Sequence, residues 1–470
     1  MVNTSRYSST VPIDQRTSIQ PRPQTRLTRR RLLIGGLLGL ALLALILWWL
    51  RIPWAWSPVD DAGHVNSLAE LTQANGTLPG MLEYIERNFR GDLNWGLFRP
   101  SYWVYPSLFY LLTPEWAHII RLVMAFAAIG GPLLYFKRTG LRGPQLVFAT
   151  ALLIAASSSL YVGLFLVSLQ ELSGAALVGL GLASQNRWLR LVAWTLAAWF
   201  KSPFAWLLIG QAIVDWRNGK RGLAASNGAL GLVTLGLATV MARQGGYTAG
   251  YQLDPFRIWN NLQVLLEPMN SLLLVALVWW ILVTKSKLNL RNGSWIFLIG
   301  WIGYTAQMLP WYVSAYYMGP ISYLLGLFLI STLPTGTREL STPRAVLGIA
   351  TPVVITSVLV FAPINQGFQI QNSMRTLQDC LQERPGTTSV MQGYVIYVTS
   401  SPEGPIRLEQ NLRLVDPSWT GSISLRDPES RDELDPSIDL VLNVGPPPGS
   451  AEPTWTLECE GPNAQVYRVP

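Results

Sequence analysis

Two adjacent carboxylates and an imidazole stand just after the first long apolar run of the sequence, at Asp60, Asp61 and His64. Charged side chains near hydrocarbon are costly and usually mark a site. A carboxylate there can act as a general base on a hydroxyl or hold a divalent cation such as Mg²⁺ or Mn²⁺. Alternatively, one aspartate caps a helix that starts near Ala62. His64 is a candidate substrate contact, hydrogen-bond partner, metal ligand or surface residue.

Further charges stand at the ends of apolar segments that we predict to face the same side. Glu171 directly precedes an apolar segment, where it can line the outer mouth of the helices or simply favour the helix dipole. Lys201 begins a Lys-Ser-Pro sequence between two short apolar runs. Its ammonium group can bind a lipid phosphate. Alternatively, the side chain extends toward the outer head groups. Arg99, Arg243 and Arg257 are further candidate substrate contacts.

An aromatic cluster that includes Tyr316 and Tyr317 lies between two other apolar runs. Such clusters form the interfacial belt of membrane proteins, and the alternative is a wall for a sugar ring or a prenyl chain. The sequence has no phosphate-binding glycine loop, no Cys/His metal cluster and no serine-hydrolase motif. ATP-driven transport is therefore not expected, and neither is a nucleic-acid partner.

The composition indicates a multi-pass membrane protein. Half of the 470 residues are hydrophobic and 13% are charged, against about a quarter charged in a soluble protein. Leu32–Leu50 is an uninterrupted apolar run behind a basic, polar tail at 1–31, which we predict to be disordered and cytoplasmic. With this run, the sequence predicts about eleven transmembrane helices. The other runs lie at 116–136, 146–169, 172–186, 188–200, 203–216, 223–241, 268–284, 294–309, 316–333 and 345–362.

Charge distribution predicts the orientation of these spans. The predicted cytoplasmic pieces hold 20 of the 35 Lys and Arg residues, while 10 of the 13 acidic residues before position 363 fall elsewhere. The positive-inside rule then places the N-terminus in the cytoplasm. It places a large outer loop at 51–115 outside, with helical stretches at Leu68–Ala74 and Met81–Asn88 that suit the membrane surface.

The last part of the chain, 363–470, has a different composition, with 14 acidic and 7 basic residues and no membrane-length run. A helix-like stretch at Phe368–Glu383 precedes alternating segments typical of strands, which predicts a small extracytoplasmic α+β domain. The predicted strands are Ser389–Thr399, Ile406–Val415, Ile438–Val444 and Thr454–Glu458. Cys380 and Cys459 are either a disulfide or two free thiols.

The layout of 32–362 resembles the GT-C glycosyltransferases, integral membrane enzymes that use polyprenyl-phosphate sugars. The resemblance rests on the acidic pair after the first helix, Glu171 in the next outer turn, the Lys-Ser-Pro sequence at Lys201, and Gly96-Leu97-Phe98-Arg99-Pro100. The last of these is similar to a Gly-Arg-Phe-Arg-Pro segment of that family, with Leu97 in place of its first arginine. Residues 363–470 match no pattern that we can name.

This resemblance implies a hexosyl- or pentosyltransferase of the cell envelope, set in the plasma membrane. It would move sugar from a polyprenyl-phosphate donor to a lipid or glycan acceptor, with inversion at the anomeric carbon and an aspartate base. The alternatives are a secondary transporter or lipid flippase, with the acids as ion sites, and a non-catalytic scaffold. An enzyme requires Asp60 or Asp61, Glu171 and a basic group to converge at one outer site.

Overall fold

The computed structural model is mostly helical, with one small sheet. It describes residues 61–165, 170–244, 254–265, 268–284, 290–310, 319–333, 375–392, 418–425, 434–444, 454–461 and 464–470, with isolated positions at 47, 354, 365, 368–369, 372–373, 408–409 and 412–413. The chain divides into two compact units, 1–52 and 53–470. All of the elements below belong to the second unit. The predicted tail at 1–31 and the predicted spans at 32–50 and 345–362 lie outside the described residues, apart from Leu47 and Val354.

Three helices form the region between the first apolar run and the next span. They are α1 (Asp61–Asn75), α2 (Thr77–Trp95) and α3 (Val104–Tyr110). The first two extend the helical stretches predicted from the sequence. Their apolar sides meet in a cluster of aromatic and aliphatic side chains that includes Leu68 and Tyr84. This packing fixes the residues on which the candidate site depends.

Ten further helices follow among the described residues. Nine of them overlap predicted apolar runs, but the predicted span at 146–169 is α-helical only to Ala156 and continues as a 3₁₀ helix over Ser158–Leu164, and the helix Pro255–Leu265 was not predicted. Among the described residues, Pro114–Arg138 and Arg221–Arg243 are long and apolar enough to cross a membrane. The full count of eleven spans stays a prediction. The helices are α4 (Pro114–Arg138), α5 (Pro144–Ala156), α6 (Gln170–Ala183), α7 (Arg187–Phe200), α8 (Ala205–Arg217), α9 (Arg221–Gln244), α10 (Pro255–Leu265), α11 (Pro268–Thr284), α12 (Asn292–Met308) and α13 (Gly319–Ser331).

Helices α4 and α6 cross with their backbones in contact at two glycines. A Cβ atom added at Gly131 would lie 2.0 Å from the carbonyl oxygen of Gly179, and one at Gly179 would lie 2.1 Å from that of Ala127. Small residues allow this kind of close helix approach in membrane proteins. Tyr323 of α13 also donates a hydrogen bond to the Ala128 carbonyl of α4, at 2.8 Å. The two helices are therefore in direct backbone contact at this crossing.

The C-terminal region forms a five-stranded mixed sheet in the order β2-β1-β3-β5-β4. Strand β1 is parallel to β2 and to β3, while β5 is antiparallel to β3 and β4. The predicted α+β character is confirmed. The strands are β1 (Thr388–Gln392), β2 (Ser422–Leu425), β3 (Leu440–Val444), β4 (Thr456–Gly461) and β5 (Ala464–Arg468).

The predicted strand at Ile406–Val415 is wrong. Residues 408–409 and 412–413 are helical, and Leu408 and Leu412 are both buried in the core over the sheet. Residues four apart lie on one side of a helix, but they also lie on one face of a strand. The alternation of apolar residues therefore could not distinguish the two structures. Strands β2 and β5 were not predicted as such.

A disulfide closes this domain. Cys380 and Cys459 are bonded, with their Cα atoms 6.2 Å apart, inside the range that the bond allows. It joins the helical segment 375–382 to β4. Arg384 and Glu458 form an ion pair beside it, and Arg468 Nε lies 3.0 Å from the same carboxylate. Of the two possibilities that the sequence left open for these cysteines, the structure has the bonded one.

Candidate functional site

Asp61 is the first residue of α1 and is fully buried. The Tyr110 hydroxyl, at the last residue of α3, donates a hydrogen bond to its Oδ1 atom at 3.0 Å. Burial, and then the negative charge of Asp61, raises the pKa of both Tyr110 and Tyr84. Both phenols therefore stay protonated at neutral pH, and Tyr110 remains a hydrogen-bond donor to the carboxylate.

Aromatic rings surround His64, one turn after Asp61. The imidazole stacks on Tyr110 at 6.0 Å between centroids, and it meets Trp103 edge-on at 5.0 Å and Tyr84 at 6.1 Å. His64 is half-buried among these rings, and its roles as a substrate contact or a metal ligand stay predictions. The i, i+3 spacing from Asp61 turns both side chains toward α3, where the aromatic residues are concentrated.

A second buried carboxylate, Asp92, lies near the end of α2 and holds Arg99. The Arg99 guanidinium donates from Nε to Oδ2 at 3.0 Å and from Nη2 to Oδ1. Trp103 Nε1 donates to the same Oδ2 at 2.6 Å. Gly96 ends α2 in the left-handed conformation, at φ 81°. This favours glycine and turns the chain so that Arg99 returns to Asp92.

The third carboxylate, Glu171 in the first turn of α6, forms an ion pair with Lys201. Lys201 follows the last residue of α7 in an extended conformation, and a short 3₁₀ turn, Ser202–Phe204, begins directly after it. Both partners are buried. The Oε2 atom of Glu171 has no hydrogen-bond partner in the part of the chain that the structure describes. In this buried pair each charge compensates the other, although removing both charges from water costs free energy.

Gln170 connects Arg99 to the end of α7, next to Lys201. With its amide oxygen turned toward Arg99, it accepts from Nη1 at 2.9 Å, while its nitrogen donates to the Phe200 carbonyl at 2.5 Å. The positive charge of Arg99 also repels that of Lys201. The structure thus brings together three residues that the sequence predicted, Arg99, Glu171 and Lys201. Contacts through Asp92 and Trp103 connect them to the group around Asp61.

Arg121 is a buried cation that the sequence analysis missed. It lies on α4, and its guanidinium donates to the Gly163 carbonyl at 2.5 Å, to Ser173 Oγ at 2.8 Å and to the Tyr105 hydroxyl. Asp61 acts electrostatically on Tyr105, which places Arg121 beside the same network. The sequence contained an indication of its role, because an arginine inside a predicted membrane span is costly and usually marks a site.

Of the five other predicted site residues, the structure describes two. Arg243 is exposed in the last turn of α9, and Arg257 is half-buried on α10. Asp60, Tyr316 and Tyr317 lie outside the described residues. The substrate and catalytic roles of all these residues stay predictions.

The carboxylates do not form an evident metal site. Within the ranges that the structure describes, no three His, Cys, Asp or Glu side chains group as metal ligands. Asp92 and Glu171 each hold a cationic side chain. Because Asp60 lies outside the described residues, the Mg²⁺ or Mn²⁺ site at Asp60 and Asp61 stays a prediction, and we derive no step through a metal.

We call the network of Asp61, Asp92, Glu171 and their partners the acidic end. It combines a buried carboxylate beside a tyrosine donor with cations held in place by two other carboxylates. A carboxylate so placed can accept a proton from a hydroxyl, and fixed cations can stabilise a developing negative charge. Both capacities are strongest where water is excluded.

No family model and no curated protein sequence matches the chain. Among solved structures, the chain is similar to the crystal structure of ArnT from Cupriavidus metallidurans bound to undecaprenyl phosphate. The alignment has a TM-score of 0.47 and 11% identity, and it covers 92% of this chain and 98% of that one. At this TM-score and identity, the likeness supports no conclusion about family or activity.

Proposed function

We propose that this chain is a multi-pass membrane glycosyltransferase that moves a sugar from a polyprenyl-phosphate donor to a hydroxyl acceptor outside the cytoplasm. The observation that carries the proposal is the acidic end, in which Asp61 and the two buried pairs, Asp92–Arg99 and Glu171–Lys201, belong to one contact network. Buried charges of both signs at the ends of apolar helices are costly and indicate function.

In the proposed step, Asp61 takes the proton of the acceptor hydroxyl. The acceptor oxygen attacks the anomeric carbon, and the bond from that carbon to the phosphate oxygen breaks. The electron pair leaves with the polyprenyl phosphate, and the configuration is inverted. Lys201 and Arg99 supply positive charge for the leaving phosphate, and their carboxylate partners hold them in position. Tyr110 orients the Asp61 carboxylate through its hydrogen bond.

Because Asp61 has no exposed surface, an acceptor has to displace part of the surrounding packing before it reaches the carboxylate. Opening of this kind precedes the chemical step in many enzymes and excludes water once the site closes. The same burial argues for an acceptor that is held by several contacts rather than for free water.

The disulfide between Cys380 and Cys459 supports an extracytoplasmic C-terminal domain, since such bonds persist in oxidising compartments. We propose the plasma membrane, with the N-terminus cytoplasmic. Reporter fusions at Pro470 test this orientation, together with thiol alkylation of Cys380 and Cys459 in intact cells with and without reductant. Cytoplasmic reporter activity, or thiols that react without reductant, would contradict it.

The activity test uses full-length protein in nanodiscs with a panel of synthetic polyprenyl-phosphate monosaccharides and a mixture of envelope lipids and glycans as acceptors. We expect at least one donor to release polyprenyl phosphate, and the Asp61→Asn variant to do so about 10²–10⁴ times more slowly. Glu86→Gln, at an exposed ion pair on α2, is the matched control and should retain full activity. Equal rates in wild type and Asp61→Asn would overturn the proposed base.

A further inference from the structure

The end of the helices opposite the acidic end is rich in arginine. Arg138, the last residue of α4, donates from Nη1 to the Ala183 carbonyl at 2.5 Å. Arg190 on α7 donates from Nε to the Gly181 carbonyl at 3.1 Å and from Nη2 to that of Ser184 at 3.2 Å. Both cations thus meet the C-terminal carbonyls of α6, where positive charge is favourable.

Two more arginines, Arg291 and Arg187, belong to this group. The Arg190 guanidinium lies 5.7 Å from the Tyr135 ring centroid, and the positive charge of Arg291 also acts on Tyr135. Arg291 donates to the Leu333 carbonyl and, at 3.5 Å, to that of Thr139. Arg187 stands three residues before Arg190 on α7, so their side chains share one side of that helix. We call Arg138, Arg187, Arg190 and Arg291 the arginine end.

Positive charge is in excess at the arginine end. None of its four arginines forms an ion pair with a carboxylate of the described chain. Asp215 of α8 acts electrostatically on Arg190, but it is buried and accepts a hydrogen bond from Asn227 at 3.3 Å. Guanidinium groups that are held by backbone carbonyls keep their charge and can bind a phosphate through their remaining N–H groups.

Apolar side chains are also exposed at this end. Leu134 stands four residues before Arg138 on the same side of α4 and is 46% exposed. Trp188 and Leu189 follow Arg187 on other sides of α7, and each is 59% exposed. A phospholipid offers the complementary arrangement, with a phosphate above acyl chains, whereas a soluble phosphate leaves these apolar side chains uncovered.

We propose that the arginine end binds an anionic phospholipid. The guanidinium groups of Arg138, Arg187 and Arg190 contact the lipid phosphate, and Leu134, one turn before Arg138, lies along an acyl chain. The proposal rests on the membrane location of these helices and not on the transferase chemistry. It assigns a binding site remote from the acidic end, so the two proposals can fail separately.

The test is native mass spectrometry of the full-length protein in neutral detergent, with dioleoyl phosphatidylglycerol or dioleoyl phosphatidylcholine added at equal concentration. We expect the anionic lipid to bind at least about fivefold more tightly. Arg138→Gln/Arg187→Gln should lower that affinity about fivefold for each arginine, which corresponds to about 1 kcal/mol per basic residue near an anionic surface. Arg138→Lys/Arg187→Lys, which keeps the charge, should retain most of the affinity.

Two controls separate lipid binding from changes in folding or net charge. Arg87→Gln/Arg90→Gln removes the same charge from exposed positions on α2 and should leave lipid affinity unchanged. Arg187 is exposed and makes no hydrogen bond to the described chain, so Arg187→Gln alone tests the site without loss of a helix cap. Equal binding of the two lipids would overturn the proposal. So would equal loss in both double variants, or displacement of the anionic lipid by an equal concentration of inorganic phosphate.

Discussion

The acidic end and the arginine end hold their charges in different ways, although the same helices connect them. Helix α4 runs from Pro114 to Arg138 with Arg121 in its first half, α6 runs from Gln170 to Ala183, and α7 runs from Arg187 to Phe200. At the acidic end, buried carboxylates pair with the buried Lys201 and the half-buried Arg99. At the arginine end, guanidinium groups meet backbone carbonyls at helix C-termini.

The difference has an energetic consequence. A buried side-chain pair becomes strongly unfavourable when one partner is lost, because the other charge stays buried without compensation. An exposed arginine on a helix C-terminus leaves behind only carbonyls that water can reach. Charge removal should therefore be costly at the acidic end and tolerated at the arginine end, which makes the first a rigid site and the second an adaptable surface.

The largest effect expected is on activity at the acidic end. Asp61→Asn keeps the shape of the side chain but loses its basicity, so transfer should slow by about 10²–10⁴, while Tyr110 still has a hydrogen-bond acceptor. Single-turnover rates with a saturating donor measure this. A variant that lost its melting transition as well would assign Asp61 to the fold instead and would weaken the contrast between the two ends.

The next effect is on stability. Lys201→Met should leave Glu171 buried without its cation and cost about 3–5 kcal/mol. Lys201→Met combined with Glu171→Gln should recover a large part of that loss, because no uncompensated charge remains. Chemical unfolding of the single and double variants in the same detergent gives the coupling free energy. Additive losses would show that the pair does not behave as a buried unit.

A smaller loss is expected at the second pair. Asp92→Asn keeps one acceptor for Trp103 but loses the charge that faces Arg99, which should cost about 2 kcal/mol as a hydrogen-bonded charge pair. Arg99→Lys should cost a similar amount, because an ammonium group cannot reproduce the two parallel hydrogen bonds of the guanidinium. Thermal unfolding curves of both variants test this, and wild-type stability of Arg99→Lys would contradict the paired geometry.

The smallest effect belongs to the arginine end. Arg138→Ala removes one exposed hydrogen bond to the Ala183 carbonyl and should cost about 1 kcal/mol or less. The variant should keep wild-type transfer rates, because the residue lies at the opposite end of α4 from the candidate site. A loss as large as that of Lys201→Met would erase the distinction between the two ends.

The sequence allowed most of the helical region to be predicted, since apolar runs of helical length specify where helices lie. The predicted run at 116–136 became Pro114–Arg138, for example. It also predicted that Asp60 or Asp61, Glu171 and a basic group would converge, but it did not give the partner of Arg99. Asp92 pairs with Arg99 because Gly96 reverses the chain, and such a tertiary return is not visible in the spacing of charges.

The small domain was harder to predict for a related reason. Leu408 and Leu412 fit either a strand with apolar residues on one face or a turn of helix, and local periodicity does not separate these for short segments. Burial of both leucines in one cluster decides for the helix. Arg121 was overlooked although an arginine within an apolar run is itself a signal, because that run was judged by its average hydropathy.

The glycine contact between α4 and α6 limits which parts of the site can move. Because the backbones touch at Gly131 and Gly179, these helices cannot slide past one another without a clash, so Arg121 and Glu171 belong to a fixed frame. Asp61, Asp92 and Arg99 are carried by the separate segment α1–α3. Any opening that admits a substrate to Asp61 therefore divides the site along two seams, Arg99 to Gln170 and Tyr105 to Arg121. Closure would bring the base back to a stationary set of cations.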